Sequence, residues 1–324
     1  MVPFRALQTA GRTRPLVLVY HMVSDEPVPH TGDLYAHKTT AEFDADLEFL
    51  RRQYRPIGLT DLLAEIESGG TGSEHTVLIT FDDGFREASE IVAPLLSRKG
   101  IPAAFFITKD WVGNRSLFCR HKASLLADRY RRQADAGTRR ACRDLLSSRG
   151  LPAQPFERRI LAAAHRRPEV LERAAALLGV DFGAYLRRVR PYLDADQIRD
   201  LMRQGFAIGA HSVDHPRYEA LSLEEQVRQT LESVAFVTAT FHTGYRAYAF
   251  PFDDRAVSRA YFDRVNGQDL VDISFGTGGM RDETVPRHFQ RVGMEPMDAR
   301  TTLSRSYIGK LARRCAGRNR TVRV

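Results

Sequence analysis

Val77-Leu78-Ile79-Thr80-Phe81-Asp82-Asp83-Gly84 is the stretch on which the fold turns. An apolar, β-branched run of strand length stops at two adjacent carboxylates and a glycine, as when a buried strand delivers acids to its C-terminal end. Successive strand residues point to opposite faces, so Asp82 and Asp83 leave the strand aimed differently and can hold different tasks. A second run, Phe206-Ala207-Ile208-Gly209-Ala210, ends in His211-Ser212-Val213-Asp214-His215. One carboxylate and two imidazoles form a facial ligand set for a single metal ion. The His pair also suits one helical face, but Pro216 disfavours helical geometry at His215 and puts the pair on a strand-to-helix loop. Taken singly, each residue has a plainer explanation: Asp82 or Asp83 as a helix cap, His211 as a core residue, His215 as a surface one. The combination is what points to chemistry.

Outward from this stretch, apolar runs alternate with helix-period segments, the sign of an α/β architecture with parallel strands. Strands are expected at 16–20, 76–80, 103–107, 206–210, 245–250 and 270–275, with a weaker one near 290–294. Thr39 with Glu42, Asp194 with Gln197 and Ser222 with Glu225 have the spacing of capping boxes, each before an amphipathic run. Seven or so strands with intervening helices fit a closed (β/α) barrel whose chemistry sits at the C-terminal strand ends. An open doubly wound sheet is the competing architecture. No G-x-G-x-x-G or Walker sequence follows a strand, which removes the nucleotide-binding versions of that sheet.

The chain has 324 residues and a net charge of +8, distributed unevenly. Residues 115–193 hold 18 Lys and Arg against 7 Asp and Glu, and residues 309–324 hold six basic and no acidic residues, so the remainder is net acidic. The reading is a basic N-terminal segment at 1–14, a barrel formed by 15–114 and 194–300, a basic helical insertion at 115–193, and a basic tail at 301–324, partly disordered over 310–323. Three widely spaced cysteines, Cys119, Cys142 and Cys315, make neither a disulfide framework nor a cysteine zinc site. With no apolar secretory core in the first fifteen residues and no 18-residue apolar run, the expected location is cytoplasmic, with membrane-surface contact through the basic insertion and tail as a further expectation.

Tyr20-His21-x-Val23, Thr80-Phe81-Asp82-Asp83-Gly84, His211-Ser212-Val213-Asp214-His215 and Ala249-Phe250-Pro251-Phe252, in this order, resemble the polysaccharide deacetylases of the NodB type, carbohydrate esterase family 4. The resemblance covers roughly 15–110 and 195–295. It implies a distorted (β/α)7 barrel, here with a helical insertion, that removes acetyl groups from N-acetyl or O-acetyl sugars of a cell-surface glycan or its precursor with a divalent metal. It further implies that Asp83, His211 and His215 hold the metal, that Asp82 is the general base toward metal-bound water, and that the Phe252 backbone, after Pro251, stabilises the oxyanion. His21 is expected at the end of the first strand, facing the same mouth, either lining the pocket or packed there. Zinc is the default for Asp-His-His, with cobalt, nickel and manganese as alternatives.

The chain departs from better-known members at three points. Position 249 is Ala where an Arg usually stands, leaving Arg246 or Arg291 to orient Asp82; the Asp-x-x-x-Trp motif is not evident, the sole tryptophan being Trp111; and the late Leu-x-His segment is missing, leaving His288 as the candidate general acid. Two other readings stand beside the first: an inactive barrel that binds polyanions through its basic parts, and an amidase or deformylase on a small sugar nucleotide. The partner expected is an acetylated sugar or glycan precursor, with an anionic glycan or membrane surface at the basic segments. Nucleic acid is not expected, since no nucleic-acid motif accompanies the charge.

Overall fold

The structure, a computed structural model, describes residues 3–11, 15–70, 72–73, 75–148, 154–321 and 323. Among them run eight strands: β1 Leu16–Tyr20, β2 Arg55–Pro56, β3 Thr76–Phe81, β4 Ala103–Ile107, β5 Ala207–Ala210, β6 Ala247–Ala249, β7 Ile273–Gly276 and β8 His288–Gly293. All pair in parallel. β1 lies between β8, in register Val17↔Arg291, and β3, in register Leu16↔Val77 through Tyr20↔Phe81. The ring β1-β3-β4-β5-β6-β7-β8 therefore closes, and the two-residue β2 adds to β3 at Arg55↔Thr76. A closed seven-strand barrel replaces the open-sheet alternative.

Continuous apolar strands make sense in this wall, because both of its faces are dry. Val17, Leu78, Ala104, Phe106, Ala247, Ala249, Ile273 and Phe275 fill the barrel interior. Their neighbours Leu18, Val77, Ile79, Phe81 and Phe105 face the surrounding helices. At about 25 cal/mol per Å² of buried apolar surface, this double lining is the main source of the barrel's stability.

The barrel unit comprises residues 1–23, 37–112 and 192–324. Its helices are α1 Phe4–Gly11, α2 Thr40–Gln53, α3 Leu59–Glu67 and α4 Ala93–Lys99 and, past five helices (α5 Cys119–Gln133, α6 Ala136–Ser148, α7 Phe156–Ala163, α8 Pro168–Leu178, α9 Phe182–Val189) outside this unit, α10 Ala195–Arg203, α11 Leu223–Phe241, α12 Arg259–Val265 and α13 Ala299–Cys315. Thr39 with Glu42 and Asp194 with Gln197 form complete capping boxes on α2 and α10, and the Ser222 side chain accepts from Glu225 N–H at α11. Helix α13 takes in the first part of the basic tail, as far as Cys315. α13 buries Ala299, Thr302, Leu303, Tyr307 and Lys310, and Tyr307 hydrogen-bonds Tyr54 at 3.0 Å. Arg12 and Arg14 of the basic N-terminal segment lie outside the described residues.

A second compact unit comprises residues 24–36 and 113–191. Its helices are α5 Cys119–Gln133, α6 Ala136–Ser148, α7 Phe156–Ala163, α8 Pro168–Leu178 and α9 Phe182–Val189. Residues 24–36 join it through Asp33, which takes two hydrogen bonds from Arg131 (2.7 and 2.8 Å), and His30, 2.8 Å from the Tyr185 hydroxyl. Charge pattern alone does not reveal that part. No described helix is long and apolar enough to cross a membrane.

Candidate active site

Every residue at the mouth follows the C-terminal end of a strand. Asp82 and Asp83 follow β3, His211 and His215 follow β5, Phe252 follows β6, His21 follows β1 and Glu295 follows β8. The backbone there is bent in ways side chains rarely allow. Asp83 (φ 73°), Ser212 (68°), His215 (61°) and Phe252 (55°) all adopt positive φ, a conformation that costs a non-glycine residue about 1–2 kcal/mol. The strain turns Asp83 and His215 toward one point. There Asp83 Oδ1 lies 3.5 Å from His211 Nε2 and 3.2 Å from His215 Nε2.

The donor set fits a cation. Asp83 Oδ1 is buried and accepts no hydrogen bond of acceptable geometry. One ligand atom each from Asp83, His211 and His215 fall within 4.8 Å of one another. His211 Nδ1–H donates to the Ala249 carbonyl at 2.8 Å, which leaves Nε2 with its lone pair facing the cluster. The His215 ring is held between Trp111, stacked at 5.4 Å, and Phe252, edge-on at 4.6 Å. Burial opposes ionisation of Asp83, but the two imidazoles hold its carboxyl well below the usual range. Burial also pushes His215 down, keeping it neutral and able to ligate.

Asp82 points into the barrel, where Arg291 meets it. Nη1 and Nη2 lie 2.6 and 2.7 Å from its two oxygens, and neither side chain is more than 2% exposed. Nη1 also donates to Thr80 Oγ1 at 3.2 Å, and Nε to the Gly276 carbonyl at 3.1 Å. Burial opposes ionisation, yet the guanidinium more than offsets it and holds Asp82 below the usual carboxylate range. Of the two arginines considered for orienting Asp82, only Arg291 reaches it. Arg246 precedes β6, on the opposite rim of the barrel, and is bound to Asp272 at 2.5 Å.

His288 also departs from its expected place. Arg291 points inward, and a residue three positions earlier on the same strand must point outward. His288 is accordingly buried behind the wall, with Nδ1 2.8 Å from Ser274 Oγ and Nε2 3.0 Å from Asp254 Oδ2. Its site is separate from the mouth, and the general-acid assignment moves elsewhere.

The residue that sequence reasoning missed is Glu295. Its Oε1 accepts from both the backbone N–H and Nδ1–H of His21, each at 2.7 Å. Burial lowers the His21 pKa, but Glu295, helped by Asp83 and Asp82, outweighs this and raises it to about 9. Glu295 is placed by a buried set of contacts: Met294 N–H donates to Val19 O (3.1 Å), Lys38 to Met297 O (2.6 Å), and Ala299 N–H to Asp46 Oδ1 (2.6 Å). The only sequence signal for it is an acid just past a strand end.

Barrel, strand-end acids and paired imidazoles define a class, hydrolases built on a closed parallel barrel, and comparison with solved structures agrees on the fold. A deacetylase of Streptococcus pyogenes, PplD in complex with acetate, superposes with a TM-score of 0.56 at 12% identity over 91% of this chain and 99% of that one. IcaB from Ammonifex degensii gives 0.55 at 15% over 91% and 97%. A de-N-acetylase from Aggregatibacter actinomycetemcomitans gives 0.56 at 13% over 91% and 100%. No curated protein matches the sequence. Residues 69–263 match the polysaccharide deacetylase family, and the chain belongs to that family. It is therefore an enzyme of the kind that hydrolyses the C–N bond of N-acetyl groups. The matched span omits β1, β2, β7 and β8, of which β1 leads to His21 and β8 carries Arg291 and leads to Glu295.

Proposed function

We propose that the enzyme removes acetyl groups from N-acetylated sugars of a cell-surface glycan or its precursor, using a divalent cation held by Asp83, His211 and His215. The observation that carries this reading is the buried, hydrogen-bond-free Asp83 oxygen facing two imidazole nitrogens. Zinc suits that donor set best. When bound, such an ion supplies Lewis acidity toward the acyl oxygen and makes water more acidic.

The chain's own groups do the rest. Asp82, kept ionised and fixed in rotation by Arg291, accepts a proton from the attacking water. The Phe252 backbone stabilises the negative charge that develops on the acyl oxygen. His21, kept protonated by Glu295, gives a proton to the leaving amine nitrogen, taking the part first expected of His288. The products are the free amine and acetate, and acetate is what the S. pyogenes deacetylase structure holds. The basic residues of the unit formed by 24–36 and 113–191, such as Arg132 and Arg140, at 62% and 81% exposed, suit an anionic glycan.

The test compares wild type, Asp83→Ala and Asp82→Asn for bound metal and for acetate release from N-acetylated monosaccharides, sugar nucleotides and oligomers. Asp83→Ala is expected to lose metal and turnover together. Asp82→Asn is expected to keep its metal and lose about 10²–10⁴-fold in turnover. A metal-replete wild type that binds no stoichiometric ion refutes the reading.

A further inference from the structure

Phe252 leaves the barrel on the loop between β6 and α12, and the contacts that hold this loop lie behind the wall. Asp254, with no exposed surface, accepts from Thr277 N–H at 2.9 Å on one oxygen. The other oxygen accepts from Gln290 Nε2 at 2.8 Å and lies 3.0 Å from His288 Nε2. Thr277 completes the circuit by donating Oγ1–H to the Phe252 carbonyl at 2.6 Å. One residue beyond β7 thus ties Asp254 and the Phe252 backbone together.

The opposing charge comes from far along the chain. Arg323, its side chain 1% exposed, sets Nη2 2.5 Å from Asp254 Oδ2 and 2.8 Å from Glu283 Oε2. Nη1 donates to the carbonyls of Asp254 (2.7 Å) and Val257 (3.3 Å), and the guanidinium lies 4.3 Å over the Phe262 ring of α12. The chain is led there by pairing of 319–321 with 282: Asp282 N–H donates to Asn319 O and Thr321 N–H to Asp282 O, both at 3.0 Å.

Two other readings of the cluster fail. Ser274, His288 and Asp254 follow the order of a nucleophile relay, but Ser274 is 2% exposed and Asp254 is committed to Arg323. Asp254, Glu283 and His288 also bring ligand atoms together, but the guanidinium already supplies the positive charge there.

We propose that Arg323 is a positioning residue for the reaction at the barrel mouth: by gripping the Asp254 side chain and the Asp254 and Val257 carbonyls, it fixes the loop that carries the Phe252 backbone. This rests on the deacetylase reading and adds to it a residue distant in sequence and out of reach of the substrate. Loss of one oxyanion donor costs about 10²–10³-fold in kcat, and a donor misplaced by about 1 Å about 10²-fold. Loosening the loop is expected to lower kcat by about 10–100-fold and leave KM and metal content nearly unchanged.

The deciding experiment uses the full chain carrying Arg323→Met with Glu283→Gln, which removes one buried charge of each sign so that the fold survives. Hydrogen–deuterium exchange, read without substrate, is expected to rise across 250–257 and to stay unchanged across 208–216. The kcat on an N-acetylglucosamine pentamer is expected to fall, and millimolar guanidinium to restore part of it to Arg323→Ala. Unchanged exchange across 250–257 overturns the proposal, as does raised exchange with wild-type kcat. If wild type itself releases no acetate, the deacetylase reading fails separately, and the exchange result still decides whether Arg323 holds the loop.

Discussion

Glu295→Gln is the sharpest perturbation the site offers, because it removes one charge and keeps the shape. Without the carboxylate, burial is left as the main influence on His21, and its pKa falls from about 9 to the ordinary 6.5 or below. At pH 8 a His of pKa about 9 is roughly nine-tenths protonated and one of about 6.5 roughly 3%, so the variant loses about 30-fold of its acid at that pH. At pH 5.5 both are mostly protonated and turnover should nearly coincide. A dication in the site lowers His21 in both proteins alike, so the comparison between them carries the test. The assay is kcat/KM for acetate release between pH 5 and 10. The alkaline limb of the variant should fall about two and a half pH units below that of wild type. Stability gives a second readout. A raised histidine pKa contributes stability that is complete below the ordinary value of about 6.5 and is lost as pH rises through about 9. The variant should therefore melt below wild type at pH 6, and the gap should close by pH 10. Parallel pH profiles, or a melting gap that widens with pH, refute the pairing as the source of the acid.

Two further outcomes follow from the barrel wall. Arg291→Met leaves Asp82 buried without its partner, which should cost about 3–5 kcal/mol in a denaturant titration and abolish turnover even in protein that remains folded. Gly276→Ala places a Cβ against the Asp254 carboxylate, which Thr277, Gln290 and Arg323 prevent from moving aside. A loss of about 1–3 kcal/mol by thermal melting is expected, and a neutral result shows that the Asp254 cluster yields more easily than its contacts imply.

Much of this was legible because the informative residues are local to strand ends. The Asp82-Asp83 and His211–His215 pairs each announce a strand, a turn and a cluster of ligand chemistry within a few positions. What the sequence does not display is register between strands distant in the chain. Arg246 and Arg291 look alike on paper, and only the pairing Val17↔Arg291 beside β3 shows which one enters the barrel. His288 shows the same limit: the apolar pattern marks a strand only near 290–294, and because β8 extends back to His288, three residues before the inward Arg291, His288 faces outward. The basic run 309–324 reads as solvated by charge, yet α13 packs its Tyr307 face on the barrel and Arg323 finds two buried acids elsewhere in the chain. Glu295 has no spacing signature at all. Its pairing with His21 depends on β1 lying next to β8.

That adjacency also bears on how the protein comes into being. A ribosome delivers β1, β3 and β5 long before β8, so Asp82, Asp83 and both ligand histidines emerge while Arg291 and Glu295 are still unmade. Until then Asp82 has no guanidinium to justify its burial, and His21 no carboxylate to keep its proton. The strand that closes the ring is thus the one that brings Arg291 to Asp82 and leads to Glu295 beside His21. Closure of the fold and completion of the acid–base pairs therefore depend on the same late segment of the chain.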